Sequence, residues 1–375
     1  MGLKMAKIEV LTTINKNKWR EYLEGCSAKD PHYLPEYLEI YEEITNRETY
    51  LNFGGKGELF IYSDKNDFIL YPYFKSMISD LPFVGTDLSD YKDIISPYGY
   101  GGPLACISNK NNIKDLWSGF FKSFSEYCGE EGIVSEFARL HPIFDNHNET
   151  IAFSTGMTEK NSRIIYVNLL KSESELWSGL NKSNRYYIRR NQKNTQLTFQ
   201  STGDFNKYPD FYGIYTDTMK RINAHGKYLF SKNFFRQAFK KLGNNLVYNN
   251  IMHDAKVIAG ILILTYGGIA YYWLGGTDTN YLKLYPTNFL LYNTMLQLKN
   301  RGIHSFVLGG GLMDNDSLFK FKSSFSKLSK DFYIYKKIHN LEIYQVLCEN
   351  RYKFDNFEEK NTEEPNFNYF PKYRA

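Results

Sequence analysis

Between residues 256 and 325 the apolar positions change period in a way that spells out one structural unit. Residues 257–265 and 269–274 are β-branched and aromatic runs separated by Tyr266, Gly267 and Gly268, which predicts two strands joined by a tight turn. From Pro286 to Asn300 the apolar residues Phe289, Leu290, Tyr292, Leu296 and Leu298 recur without an internal Gly or Pro, which predicts a helix. Pro286 suits its first turn, and Arg301 followed by Gly302 supplies a terminal cation and a glycine stop. Residues 303–308 form another short apolar run that ends in Gly309, Gly310 and Gly311. Hairpin, helix, strand and glycine turn make an α/β core unit, the expected catalytic half of an enzyme.

The rest of the chain carries the same mixture. Strands are predicted at 8–12, 59–62, 68–74, 133–139, 164–169, 197–200, 246–252 and 332–338, and helices at 19–23, 36–44, 204–219 and 234–242. Residues 113–127 place Leu116, Trp117, Phe120, Phe121 and Phe124 at helical spacing, a core-facing stripe. His141 precedes Pro142, and the 145–148 cluster is expected to be a loop. A helix capped by Ser174 is expected to run on to Lys193, with Leu176, Leu180, Tyr187 and Ile188 on one side. Ser231 is placed to cap the helix over 234–242, and the segment from Phe354 onward reads as a polar, aromatic tail.

Composition narrows the class. With 375 residues, 42% hydrophobic and 23% charged, the chain can hold two globular domains, each with its own core. A net charge of +5 permits anionic substrates without demanding nucleic acid, and DNA is not expected as a partner. Cys26, Cys106, Cys128 and Cys348 are scattered without CxxC spacing, which predicts reduced thiols and no metal site. No signal core or membrane-length apolar run is present, so a cytoplasmic protein is expected, with the inner face of the membrane as a site of peripheral contact.

Two stretches carry candidate chemistry. Residues 96–103 hold Tyr98, Gly99, Tyr100, Gly101 and Gly102 between Pro97 and Pro103. Such a loop either lets backbone approach a ligand while the phenols hydrogen-bond it, or is an ordinary glycine turn. Lys182, Arg185, Arg189 and Lys193 stack along one helix side with Arg190 beside them, and no acidic residue occurs between Leu176 and Gly203. That stripe is either a solvated basic face or a phosphate contact, for which arginine's fork is suited. No GxSxG elbow, cysteine nucleophile motif, GxGxxG or Walker lysine-serine pair is present.

In order and spacing these segments resemble the FemA/FemB/FemX family of aminoacyltransferases and the neighbouring FemAB-like acetyltransferases, both within the GNAT superfamily. The resemblance spans most of the chain. It rests on the basic stretch 182–193, on Thr218, Met219, Lys220 and Arg221, and on Ala259 and Gly260. It includes the helix beginning near Tyr285, the Gly309–Gly311 turn, Phe321 with Lys322, and the tyrosine loop at 98–103.

The resemblance implies an α+β fold of two tandem GNAT-like domains, each a central mixed sheet flanked by helices, with ligands in a cleft. The expected divisions are 1–160 on the acceptor side, 161–340 as the catalytic domain, and 341–375 as a tail packing back on the first. It implies an acyltransferase that moves an acetyl or aminoacyl group from acyl-CoA or aminoacyl-tRNA to an amino or hydroxyl group of a nucleotide- or lipid-linked sugar in cell-surface polysaccharide or peptidoglycan synthesis. Lys322 after Phe321 matches the family's cleft lysine, and Lys322, Phe321 and Tyr272 are the expected catalytic residues. Lys320 and Lys322 would share one face if that stretch is extended. Arg221 matches a phosphate-contacting arginine; Tyr98, Tyr100 and Gly101 would meet the sugar; Arg185, Arg189, Lys193 and Asn288 would hold the donor's phosphates. Asp314, Asp316, His225 and Tyr272 are candidate bases by location. The pyrophosphate loop common in acetyl-CoA enzymes of this superfamily has no counterpart in 275–288. The absence of a long charged heptad insertion between 203 and 246 favours the compact type over the tRNA-dependent peptidoglycan bridge transferase. The remaining alternative is a non-catalytic module that binds glycan precursors.

Overall fold

The structure is a computed structural model that describes residues 6–42, 55–108, 113–224, 226–311, 315–357 and 369–375. The chain divides into two mixed α/β units, one of residues 1–28, 32–161 and 332–375, the other of 29–31 and 162–331. Element numbers follow chain order.

The first unit contains β1 (Lys7–Thr12), β2 (Lys56–Asp64), β3 (Asp67–Met77), β4 (Lys92–Ile95), β5 (Leu104–Cys106), β6 (Ile133–Arg139) and most of β13 (Ser329–Ile338). β1, β2 and β3 form an antiparallel meander, β4 and β5 both pair with β3, β6 runs parallel to β4, and β13 is antiparallel to β6. Its helices are α1 (Lys16–Glu24), α2 (Pro35–Glu42), α3 (Ile113–Glu130), α4 (His147–Phe153) and α11 (Leu341–Phe357). The aromatic stripe of α3 does face the core, where Phe124 packs 4.9 Å from Phe60 and 5.1 Å from Tyr71 between ring centroids.

Three local readings differ from expectation in this unit, at α4, at α11 and at Cys26 with Cys106. The 145–148 cluster leads into α4 rather than staying a loop. The stretch before the tail forms α11, with Tyr344 and Leu347 buried against Ile78 and Leu81. Of the tail itself, residues 358–368 lie outside the described part, and Tyr373 and Arg374 are buried. Arg374 forms a two-bond pair with Asp93 at 2.5 and 3.1 Å, and the Tyr373 hydroxyl meets Ser135 at 2.7 Å. Cys26 and Cys106 were expected to be free thiols, but the fold brings their Cα atoms to 4.9 Å and they are joined as a disulfide. Eighty residues of sequence separation hid that pairing.

The second unit runs most of β7 (Met157–Asn168), then β12 (Ser305–Gly309), β11 (Ile269–Thr277), β10 (Lys256–Tyr266), β9 (Leu246–His253) and β8 (Leu197–Thr202) across its sheet. β11 and β12 are parallel, and the other neighbours are antiparallel. The helices are α5 (Glu173–Gly179), α6 (Lys182–Gln192), α7 (Tyr208–Arg221), α8 (Lys232–Leu242), α9 (Pro286–Asn300) and α10 (Ser317–Ser323). Strand alternation divides them between the faces. Ala259, Ile261 and Ile263 of β10 join α5, α6 and α9 in one apolar core, while Gly260 between them lies under Phe211 of α7. α9 begins and ends where Pro286 and Arg301 predicted.

Candidate active site

The site is built where two strands part. The parallel ladder between β11 and β12 covers Ile269–Tyr271 against Ser305–Val307 and goes no further. Beyond it β11 stays with β10, past a bulge at Leu262 and Ile263, while β12 stays with β7, past an irregularity that sets Gly309 opposite Ile165. Bulges of this kind bend a strand and end its pairing on one side. Tyr272 on β11, and Leu308 leading into the Gly309–Gly311 turn at the end of β12, are the first residues past the divergence.

Lys322 enters this place from α10. The stretch was expected to be extended, with Lys320 and Lys322 on one face; it is helical, and Asp316 caps it by accepting the Phe319 N–H at 2.7 Å. At a spacing of three, Phe319 and Lys322 face inward while Lys320 stays exposed. The Lys322 side chain is 9% exposed. Its Nζ donates to the Gly310 carbonyl at 2.6 Å and lies 5.8 Å from the centroid of the Tyr272 ring. Burial lowers the Lys322 ammonium from 10.5 to about 8, opposed by the nearby Asp316 carboxylate. Among the described residues one carbonyl and one π-face hold the cation, which leaves N–H donors for another acceptor. The turn needs its glycines: a Cβ on Gly311 would lie 2.1 Å from Asp316 Oδ1, and one on Gly310 2.5 Å from the Arg163 carbonyl oxygen. Phe321, one residue before the lysine, is half-buried and packs edge-on to Phe325.

Tyr272 is a neutral phenol, since burial pushes it up to about 12. Its ring lies along β11 over Gly275, where a Cβ would fall 2.2 Å from the Tyr272 hydroxyl. The far end of β11 is anchored from α7. The Thr218 hydroxyl accepts the Thr277 N–H at 2.9 Å, and Arg221 donates to the Thr277 carbonyl at 3.2 Å and to the Thr279 hydroxyl at 3.1 Å. The Thr277 hydroxyl meets that of Thr287, in the first turn of α9, at 2.8 Å.

The expected single helix from Ser174 to Lys193 is two. Ser172, not Ser174, caps α5 in a reciprocal box with Glu175; Leu180 ends α5, and Asn181 caps α6 by accepting the Asn184 N–H at 2.7 Å. An asparagine with a free choice of backbone partner breaks a helix here for the same reason it starts one. The basic stripe is accordingly divided in its roles. Arg185 donates to the Ser178 and Leu180 carbonyls at 3.1 and 2.6 Å, closing the C-terminal end of α5. Arg189 lies 5.1 Å over the Trp177 ring. Lys182 and Lys193 are exposed. Asn288 is buried and donates to Asn184 Oδ1 at 2.6 Å. Asn184 lay outside the expected residues, although its spacing of four from Ile188 puts both on the buried face of α6.

Tyr98, Tyr100 and Gly101 belong to the first unit. Their loop is pinned by its carbonyls: Tyr37 donates to Tyr98 at 2.7 Å, Tyr33 to Gly102 at 2.8 Å, and Asn146 to Gly101 and Pro103 at 2.9 and 3.0 Å. The Tyr100 ring packs edge-on to the buried His32 and His141, at 5.4 and 5.8 Å. Both tyrosines are half-buried. His225 and Asp314 lie outside the described residues; Asp316 is the cap of α10.

Residues 180–322 match the model of an acetyltransferase (GNAT) domain. A search of curated sequences finds no match. Among solved structures, FemX is similar with a TM-score of 0.67 at 13% identity, over 90% of this chain and 99% of FemX. A conserved protein of unknown function from Bacteroides thetaiotaomicron VPI-5482 is similar with a TM-score of 0.53 at 11% identity, over 88% of this chain and 99% of that one. At such identities the likeness establishes the fold. The matched segment contains Lys322, Tyr272, Arg221, α6 and α9.

Proposed function

We propose that the chain, whose residues 180–322 match an acetyltransferase (GNAT) domain, is a FemAB-like acyltransferase that transfers an acyl group directly from an acyl-CoA donor to an amino or hydroxyl group of a nucleotide- or lipid-linked sugar. The observation that carries this reading is the buried Lys322 ammonium, held against Gly310 and Tyr272 where β11 and β12 part. The acceptor's nitrogen or oxygen attacks the donor carbonyl and a tetrahedral oxyanion forms. Lys322, a cation below pH 8, offers an N–H to that oxygen in a low-dielectric setting. Collapse breaks the bond to sulfur. The acceptor gives up its proton, and the leaving thiolate takes one up. No covalent enzyme intermediate is required, in keeping with the absence of a GxSxG elbow.

An acyl-CoA donor carries phosphates, and the first turn of α9 suits them: it has no acidic residue and its N–H groups lie at the positive end of the helix. Asn288 serves this turn by fixing it to α6, and Arg221 by fixing the end of β11. Tyr98, Tyr100 and Gly101 are proposed as the sugar-binding surface of the first unit, and Arg189 and Lys193 as outer phosphate contacts. Sugar-linked acceptors of this kind are made at the cytoplasmic face of the cell envelope, where we place the protein. No described helix is long and apolar enough to cross a membrane.

Calorimetry with acetyl-CoA and with a charged tRNA tests the donor. Micromolar binding of acetyl-CoA supports the proposal. Binding of tRNA with steep salt dependence, and none of CoA, moves the assignment to aminoacyl transfer. Lys322→Ala should reduce turnover by about 100-fold or more while leaving acceptor binding measurable. Acceptor binding without turnover in the unaltered protein would instead point to a glycan-precursor binding module.

A further inference from the structure

The outer side of α6 presents an aromatic platform that the basic stripe alone did not reveal. Tyr187 of α6 and Tyr285, the residue before α9, stack with centroids 3.7 Å apart and planes 16° from parallel. Arg190 lies 5.4 and 5.7 Å from the two centroids. Its guanidinium donates to the Lys283 carbonyl at 3.0 Å, and Asn191 donates to the carbonyls of Leu284 and Tyr285 at 2.9 and 3.4 Å. Three residues of α6, at positions i, i+3 and i+4, thus grip residues 283–285 from one helix face. Tyr285 is held with φ 53° and ψ 48°, a left-handed conformation that is unfavourable for a bulky side chain.

The gripped ring is nevertheless not covered. Tyr285 is 41% exposed and the adjoining Tyr186 62% exposed. Arg190 lies against the stacked pair, Lys193 follows it at the end of α6, Lys283 stands two residues before Tyr285, and no acidic residue occurs on α6 to neutralise them. A fixed, open π-face edged by cations recognises a planar base that carries phosphate. The position supports the same chemistry, because Tyr285 directly precedes Pro286 at the positive end of α9.

We propose that Tyr285, stacked on Tyr187 and backed by Arg190, is the binding platform for the adenosine phosphate end of the acyl donor. The proposal rests on the acyltransferase reading and names the donor part that the platform takes. Two donors share that chemistry: the adenosine bisphosphate of CoA and the terminal adenosine of a tRNA.

The test uses the full chain and adenosine 3′,5′-bisphosphate as the probe, followed by calorimetry. Tyr285→Ala and Arg190→Gln should each weaken binding roughly tenfold, the scale of one lost base stack. Tyr285→Phe, which keeps the stack, should bind as the unaltered protein does, and so should Lys322→Ala. Displacement of the bound probe by acetyl-CoA, or by an aminoacylated tRNA, supports the platform and identifies the donor; displacement by neither overturns it. Unchanged affinity in Tyr285→Ala also overturns it. Acetyl-pantetheine, a donor without the nucleotide, separates the two readings. Its turnover should survive Tyr285→Ala if the chain is an acyl-CoA-dependent transferase, whatever the platform does. Probe binding that depends on Tyr285 without transfer from any donor would leave the platform standing and remove the enzyme reading.

Discussion

The Asn288 side chain donates to Asn184 Oδ1 at 2.6 Å, and Asn184 passes the connection on, donating to the carbonyl and hydroxyl of Ser324 at 3.1 and 2.8 Å. The same Ser324 carbonyl accepts the Asn181 N–H at 2.9 Å. This chain of bonds ties the first turn of α9 to the start of α6 and to the end of α10, two residues beyond Lys322. It is what relates the donor end of the proposed site to its reacting centre.

Removing one member leaves a buried acceptor unsatisfied. Asn288→Ala should cost about 1–3 kcal/mol in urea denaturation. It should also lower turnover at saturating donor by loosening α10. Full stability with altered turnover would show that the bond acts on the site alone. Neither effect would mean that water replaces the amide.

The lowered Lys322 ammonium has a consequence for pH. Below about pH 8 the folded and unfolded chains both hold the proton, and the full penalty of burying the cation is present. Between about 8 and 10.5 the unfolded chain keeps a proton that the folded one has lost, so this group makes stability rise with pH. The gain is on the order of 3 kcal/mol across that window. Lys322→Met should remove the rise, as followed by urea midpoints at fixed salt. Activity should move the other way: if the ammonium stabilises the oxyanion, kcat falls as pH passes about 8. A rate that climbs through that pH would instead make the neutral amine the working form.

Much of the fold was readable because its elements obey local rules. The hairpin at Gly267 and Gly268, the helix from Pro286 to Asn300 and the Ser231 cap of α8 need nothing beyond period, turn residues and caps. Lys322 was legible as a candidate, but its environment was not, because Phe319 to Phe325 fits an alternating strand as well as a short helix. Seven residues are too few for period alone to decide; the Asp316 cap decided it. Charge patterning misled on Arg185 for a different reason. Sequence shows that no acid is near, but an arginine can also be satisfied by carbonyls at a helix end, and those exist only once Gly179 and Asn181 have broken the helix. The Tyr187–Tyr285 stack joins residues 98 positions apart, which no local signal reports.

The division of the basic stripe makes Arg185 and Lys193 experimentally separable. Arg185→Gln loses a charged donor to two carbonyls and should destabilise the fold by about 1–3 kcal/mol in thermal or urea unfolding. Lys193 is exposed, so Lys193→Gln should leave stability within about 0.5 kcal/mol while weakening donor binding and reducing its salt dependence. Equal loss of stability in both variants would contradict the division.

Adjacent glycines on β11 offer the sharpest separation of packing from chemistry. A Cβ on Gly276 would lie 2.7 Å from the backbone carbonyl oxygen of Ile214, so Gly276→Ala must push α7 away from the sheet. Backbone yields little, and overpacking of this sort costs about 1–3 kcal/mol. A Cβ on Gly275 meets the Tyr272 hydroxyl, the far end of a side chain that can swing aside. Gly275→Ala should therefore change the denaturation midpoint less than Gly276→Ala, yet move the ring that covers Lys322. Its signature would be a shift in the pH at which kcat falls, because the cation loses its π-face and its surroundings change. If Gly275→Ala leaves that profile where it was, Tyr272 is a packing residue and the Gly310 carbonyl alone positions the lysine.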